Sequence, residues 1–372
     1  MQDDTPPPTT DGTAFRSLMF VIRPMPLKRR ADHPYSFTNK SAMNQRLTAT
    51  SSPLSTRGEP NPSVESPTKK YVEHIKRCGI IAAVHTPMHS SGDLNLSIVE
   101  RQAEYFLSRG VSGVFIAGTT GECHSLRVEE RLALTERWAQ VAAGSDLQLY
   151  IHVGHNCQRD AQTLAEHASK LPVDAIAAMA PCYFKPQSIP QLLEFLAPIA
   201  ASALRLPFYY YDIPSLTGVH LSMLELLHQG PMQIANLAGI KYTNADFAQF
   251  EDCVLYDGEA FNIMFGCDEC LVDGLARGAA SAVGSTYNFA APLYNMIIDE
   301  YDAGNVEAAS VLQDQSKQMV EVLSEYGFSA AAKSVMKMIG IDCGPARSPL
   351  NNLTTQQLDE LEQRLTELSL LG

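Results

Sequence analysis

From residue 79 to residue 283 the chain repeats one theme eight times: a short, nearly continuous apolar run followed by a stretch with helical spacing. The runs fall at 79–84, 113–117, 147–153, 173–179, 207–211, 237–241, 261–265 and 279–283. The run Leu237 to Ile240, for example, is bounded by polar residues and too short for a helix, as expected of a parallel strand covered on both faces. Between runs, Ile98, Val99, Ala103, Phe106 and Leu107 mark one face of the first helix. Leu132, Leu134, Trp138 and Val141 populate the second. Eight strand–helix units at roughly thirty-residue spacing predict a (β/α)8 TIM barrel, an α/β fold. A doubly wound open sheet is the competing arrangement, but no Gly-x-Gly-x-x-Gly follows the first run. Beyond Val283 the spacing is helical to the end, over 290–303, 305–326, 329–339 and 354–370. The barrel is therefore assigned to 71–300 and an appended C-terminal helical layer to 301–372.

The first seventy residues have a different character. Pro6-Pro7-Pro8, Pro24, Pro26, Pro34, Pro53, Pro60, Pro62 and Pro67 are mixed with Ser, Thr and Asn and sustain no apolar period, which predicts a disordered leader. Asp3 and Asp4 replace the basic start of a secretory signal. An organelle transit peptide beginning at Met1 or Met43 and a misassigned start codon are alternative readings of the same stretch.

The net charge of −13 argues against a nucleic-acid or anionic-membrane partner, since both need clustered Lys and Arg. No apolar run approaches the roughly 18 residues of a membrane span. The eight cysteines show no framework, as expected of reduced thiols in a cytoplasmic protein. Cys267 and Cys270 have zinc or redox spacing without a second pair nearby, and His152 and His155 are read as packing residues, so no metal site is expected.

In such barrels catalytic groups cluster where strands end and the following loops begin. Leu237-Ala-Gly-Ile-Lys241 drives an apolar run into a lysine. An amine in an apolar mouth loses its proton more easily, because desolvation disfavours the charged form, and its lone pair can then attack a ketone to form a Schiff base. The bland alternative is a lysine that snorkels to solvent. Tyr211 ends the fifth run, so its side chain should enter the same mouth from an adjacent strand. Gly118-Thr119-Thr120-Gly121-Glu122 follows the second run, where exposed N–H groups at the start of a helix would cradle an anion. Asp268 and Glu269 follow the seventh run and Ser285 the eighth.

Five ordered motifs carry a resemblance that covers nearly all of residues 71–350: Gly118-Thr-Thr-Gly-Glu122, Tyr210-Tyr-Asp-Ile-Pro-Ser-Leu-Thr-Gly218, Gly239-Ile-Lys-Tyr-Thr243, Gly266-Cys-Asp-Glu269 and Gly284-Ser-Thr-Tyr-Asn288. The chain resembles the dihydrodipicolinate synthase and N-acetylneuraminate lyase superfamily of Schiff-base-forming class I aldolases. The resemblance implies that Lys241 is the Schiff-base lysine and Tyr211 the acid/base tyrosine. It implies that Thr119 and Thr120 hold the pyruvyl carboxylate. Dihydrodipicolinate synthases typically carry arginine where this chain has Leu216, so the lining is closer to the N-acetylneuraminate lyase branch. There the residues matching Thr243, Gly266, Asp268, Glu269 and Ser285 contact sugar hydroxyls, and Tyr183 matches a tyrosine that reaches a neighbouring subunit's site.

The implied activity is reversible cleavage of N-acetylneuraminate to N-acetylmannosamine and pyruvate, without cofactor, by a cytoplasmic homotetramer. Two alternatives are a class I aldolase for another 2-keto-3-deoxy sugar acid and a non-catalytic sugar-acid-binding barrel.

Overall fold

The computed structural model describes residues 79–256 and 260–368. The expected leader over 1–70 lies outside the described residues. Eight parallel strands close into a barrel in sequence order: β1 Ile80–Ala83, β2 Gly113–Ile116, β3 Gln148–His152, β4 Ala175–Met179, β5 Phe208–Asp212, β6 Leu237–Tyr242, β7 Asn262–Phe265 and β8 Ala282–Gly284, with β8 pairing back to β1. All eight expected runs are strands, each trimmed or shifted by a few residues.

Every strand is buried on both faces, and alternation divides its side chains. Phe115, Tyr150, Ala177, Tyr209, Tyr211, Met264 and Val283 fill the lumen. Val114, Ile151, Ile176, Tyr210 and Phe265 face outward into the larger core beneath the helices. Between β5 and β6 the register slips by one residue, Phe208 pairing with Leu237 but Tyr209 with Gly239. Gly239 sits there at φ 157°, and a Cβ on it would collide with the carbonyl oxygen of Asn262 on β7, so the position requires glycine.

The outer helices are α1 Val99–Ser108, α2 Val128–Ala142, α3 Gln158–Ala168, α4 Ile189–Ala201, a short α5 Pro214–Thr217, α6 Met223–Gln229, α7 Phe247–Leu255 and α8 Leu271–Ala276. Local chemistry starts several of them. Ser188 accepts a hydrogen bond from the Gln191 N–H ahead of α4, and Asp246 does the same for Gln249 ahead of α7. Helix α9 Tyr287–Asp302, kinked at Ala290, follows β8 and packs against β1, completing the eighth strand–helix unit, and the C-terminal layer contains α10 Val306–Glu325, α11 Phe328–Met338 and α12 Thr355–Glu367.

Two helix faces differ from the apolar spacing. Leu107 is 42% exposed and Gln102 is buried in its place, its amide donating to the His85 carbonyl at 2.9 Å. On α2 the buried stripe runs through Arg131, Leu134, Thr135, Trp138, Ala139 and Ala142, which leaves Leu132 and Val141 at its edge. Polar residues entered both stripes because the ends of β1 and β3 offer them carbonyl partners. No helix among the described residues is long and apolar enough to cross a membrane.

Candidate active site

Lys241 and Tyr211 are direct neighbours in the β5–β6 register, and both point into the lumen at its C-terminal end. Lys241 is 4% exposed. Its Nζ lies 4.0 Å from the centre of the Phe115 ring and 3.9 Å from that of Tyr211, so aromatic faces replace most of its water. Burial lowers its pKa from 10.5 to about 7, and the acidic groups of Asp268 and Cys123 offset only part of the effect. Near neutral pH a substantial share of this amine is unprotonated. Lys241 therefore does not snorkel out to solvent.

The Tyr211 hydroxyl is 3.2 Å from Thr119 Oγ1. Burial holds Tyr211 well above the ordinary tyrosine range, while hydrogen bonding to Thr119 pulls the other way, so the phenol keeps its proton. Thr119 and Thr120 lie half-buried in the turn after β2. This turn is bracketed by two non-glycine residues in the left-handed region, Ala117 at φ 52° and Glu122 at φ 57°, each costing about 1–2 kcal/mol. The turn does not open a helix, contrary to expectation. It passes into a 3-10 turn at Cys123–Ser125, and α2 begins only at Val128. An anion here would meet threonine hydroxyls and turn N–H groups rather than the end of the α2 dipole.

Thr243 extends β6 beyond Lys241, its N–H donating to the Asp212 carbonyl at 2.8 Å. Gly266 lies against it, because any Cβ there would overlap the Thr243 hydroxyl. Asp268 is 6% exposed and already engaged: its Oδ2 accepts from the Thr286 N–H at 2.7 Å, the Thr286 hydroxyl at 2.6 Å and the Ser285 hydroxyl at 3.5 Å. Burial raises the pKa of Asp268 despite these donors. Glu269 is pushed up to about 7 by burial and then by the neighbouring Asp268. Its protonation can therefore change near neutrality.

Tyr183 is not gathered with these groups. It is 78% exposed on the loop after β4, edge-on to Phe184, which is 84% exposed. His152 and His155 share no ligand position: His152 is buried with Nδ1 2.8 Å from the Ala117 carbonyl, whereas His155 Nδ1 accepts from the Cys157 N–H at 3.0 Å. Among the described residues no group of three or more His, Cys, Asp and Glu is placed to hold a metal ion.

Several contributors were not singled out from the sequence. Phe115 floors the amine, and its inward phase on β2 was the available signal. Cys123 sits in the lumen. His85, at the end of β1, is buried and pushed down to about 3. Lys333 on α11 makes a buried ion pair with Glu122, a contact spanning 211 residues that no local pattern announces.

The model of the Dihydrodipicolinate synthetase family matches residues 76–368. The chain belongs to this family. Within it, the chain is 35% identical over 298 residues to rat N-acetylneuraminate lyase, covering 79% of this chain and 93% of that relative. It superposes on the solved Proteus mirabilis N-acetylneuraminate lyase with a TM-score of 0.77 at 38% identity, covering 80% of this chain and 100% of that one. A Ruminococcus gnavus sialic acid aldolase, solved as a catalytic lysine mutant, matches with a TM-score of 0.74 at 28% identity over 79% and 97% of the two chains. The family model spans every strand of the barrel together with α12, so the C-terminal layer belongs to the family architecture.

Proposed function

We propose that the protein is a class I aldolase that reversibly cleaves N-acetylneuraminate to N-acetylmannosamine and pyruvate through a Schiff base on Lys241. The observation that carries this reading is the buried amine between two aromatic rings, beside a tyrosine hydrogen-bonded to the threonine turn. Its relatives named N-acetylneuraminate lyase and sialic acid aldolase support the substrate.

The chemistry follows from these positions. The neutral amine adds to the C2 ketone of the open-chain sugar acid, and loss of water leaves a protonated imine that serves as an electron sink. Thr119 and Thr120 hold the carboxylate so that C2 stays over Lys241. Because Tyr211 stays protonated, it acts as a relay. Its oxygen takes the proton of the C4 hydroxyl while its own proton passes to the substrate carboxylate. The C4–O bond becomes a carbonyl, the C3–C4 bond breaks, and its electron pair moves into the enamine. N-acetylmannosamine leaves, C3 is protonated, and water releases pyruvate and the free amine. Thr243, Gly266, Asp268, Glu269 and Ser285 line the route of the polyol chain in this scheme.

One observation favours a second reading, an aldolase for a shorter 2-keto-3-deoxy sugar acid. Asp268 is committed to Thr286, which leaves fewer free groups for a nine-carbon chain. Pyruvate release from N-acetylneuraminate and from a panel of shorter acids, with Lys241→Ala as control, decides between them. Release that depends on Lys241 and favours the nine-carbon acid supports the first reading; cleavage of shorter acids alone supports the second; no release from any of them points to a binding barrel. The working assembly in this proposal is a cytoplasmic homotetramer in which the exposed Tyr183 and Phe184 face another copy, and sedimentation of the purified protein tests it.

A further inference from the structure

We infer that the buried ion pair between Glu122 and Lys333 is a clamp that positions the carboxylate-binding turn, making the C-terminal helical layer part of the substrate apparatus. This inference rests on the Schiff-base reading above. Lys333 Nζ lies 2.6 Å from Glu122 Oε1, with side-chain exposures of 2% and 3%. The ammonium also donates to the Pro345 carbonyl at 2.9 Å. The second carboxylate oxygen of Glu122 accepts from the Arg347 N–H at 2.7 Å. Arg347 is itself anchored, donating to Glu130 through both terminal nitrogens at 2.7 and 2.5 Å and through Nε to the Gly92 carbonyl at 2.9 Å. One carboxylate thus ties the turn to α11 and to the segment that follows it.

What the pair contributes is geometry more than stability. Two charges this far from water lose in desolvation much of what they gain in attraction, so such pairs are poor stabilisers. Glu122 nonetheless occupies a left-handed conformation, which persists in a non-glycine residue only where its surroundings over-determine it. At the other end of the turn Ala117 is equally strained, and its carbonyl is held by His152. Between the two clamps the Glu122 N–H donates to the Thr119 carbonyl at 2.9 Å, and the Gly121 carbonyl accepts from Thr86 at 2.7 Å. Releasing Glu122 therefore frees the residue hydrogen-bonded to Thr119, whose hydroxyl meets Tyr211. Neither Glu122 nor Lys333 touches the reacting atoms; both are positioning residues.

A pair of ketones separates this role from a general loss of structure. Pyruvate needs the turn for its carboxylate, whereas hydroxyacetone, which lacks one, needs only Lys241. Imines of both are trapped on the full-length protein by borohydride reduction, and half-saturating ketone concentrations are compared. In Lys333→Met and Glu122→Gln the pyruvate value is expected to rise about tenfold or more while the hydroxyacetone value stays within about twofold. Lys333→Arg keeps the charge but not the ammonium geometry, and it carries the same comparison should the Met variant not fold. Equal loss with both ketones, or no change with either, overturns the inference. A wild-type protein that traps no pyruvate overturns the Schiff-base reading and this inference with it.

Discussion

Tyr211 and Lys241 stand side by side on adjacent strands with the amine 3.9 Å from the centre of the phenol ring. One burial acts on both groups in opposite senses: it drives the proton off the lysine and keeps it on the tyrosine. In the proposed mechanism this leaves the amine free to attack and the phenol able to relay a proton near neutral pH.

The Lys241 shift has a stability signature. The native amine titrates at about 7 and the unfolded one near its ordinary 10.5. Between these values the unfolded chain holds the extra proton, so stability rises with pH across that window, and below about 7 the full burial penalty is present. Lys241→Met is expected to raise Tm most at about pH 6 and least at about pH 10. In the wild type kcat/KM should climb with pH through about 7, because only the neutral amine attacks. Thermal unfolding and pyruvate-release profiles check the two halves.

Tyr211→Phe removes the relay and keeps the ring over Lys241. The kcat for cleavage is expected to fall by about 10²–10⁴-fold. Stability should change by only about 1 kcal/mol, since one hydrogen bond to Thr119 is lost. Borohydride should still trap the pyruvate imine.

Asp268 and Glu269 are adjacent but should answer differently to substitution. Asp268→Ala leaves the buried Thr286 N–H without its acceptor, which should cost about 2–3 kcal/mol along with activity. For Glu269 the native pKa of about 7 exceeds the ordinary 4.5, so its burial penalty appears as pH rises through that interval and is complete above about 7. Glu269→Gln should therefore raise Tm above about pH 7 and leave it unchanged near pH 4, while KM for the sugar acid increases. Melting curves at the two pH values separate these outcomes.

Leu216 lies 47% exposed on α5. Leu216→Arg should alter stability by no more than about 0.5 kcal/mol, because a half-exposed side chain has little packing to lose. Condensation of pyruvate with a carboxylate-bearing aldehyde should improve relative to condensation with N-acetylmannosamine. The ratio of the two initial rates is the measurement.

The barrel was legible because eight doubly buried strands leave a periodic trace, and the four C-terminal helices were found within about three residues at each end. The placement of Lys241 and Tyr211 side by side, and of Thr119 and Thr120 in the turn after β2, was legible because each stands at a strand end inside a motif. Three features were not. Arg131 broke the apolar stripe of α2 because its partners are the carbonyls of His152 and Gly154, and spacing alone does not reveal a polar residue satisfied across the fold. The occupation of Asp268 by Thr286 joins the segments that follow β7 and β8, eighteen residues apart, which no local pattern links. The Glu122–Lys333 pair joins residues 211 apart.

The one-residue slip at Gly239 has a consequence for where the chemistry can occur. Ala238 and Lys241 both face the lumen although three positions separate them, while Leu237 and Ile240 both face the helices. In a regular strand the two inward residues would be an even number apart, and a lysine at 241 would point into the hydrophobic layer under the helices. The extra residue reverses the parity of β6 just before its end. The inward position of the Lys241 amine thus depends on an odd count of residues, held in place by the lack of a side chain at Gly239.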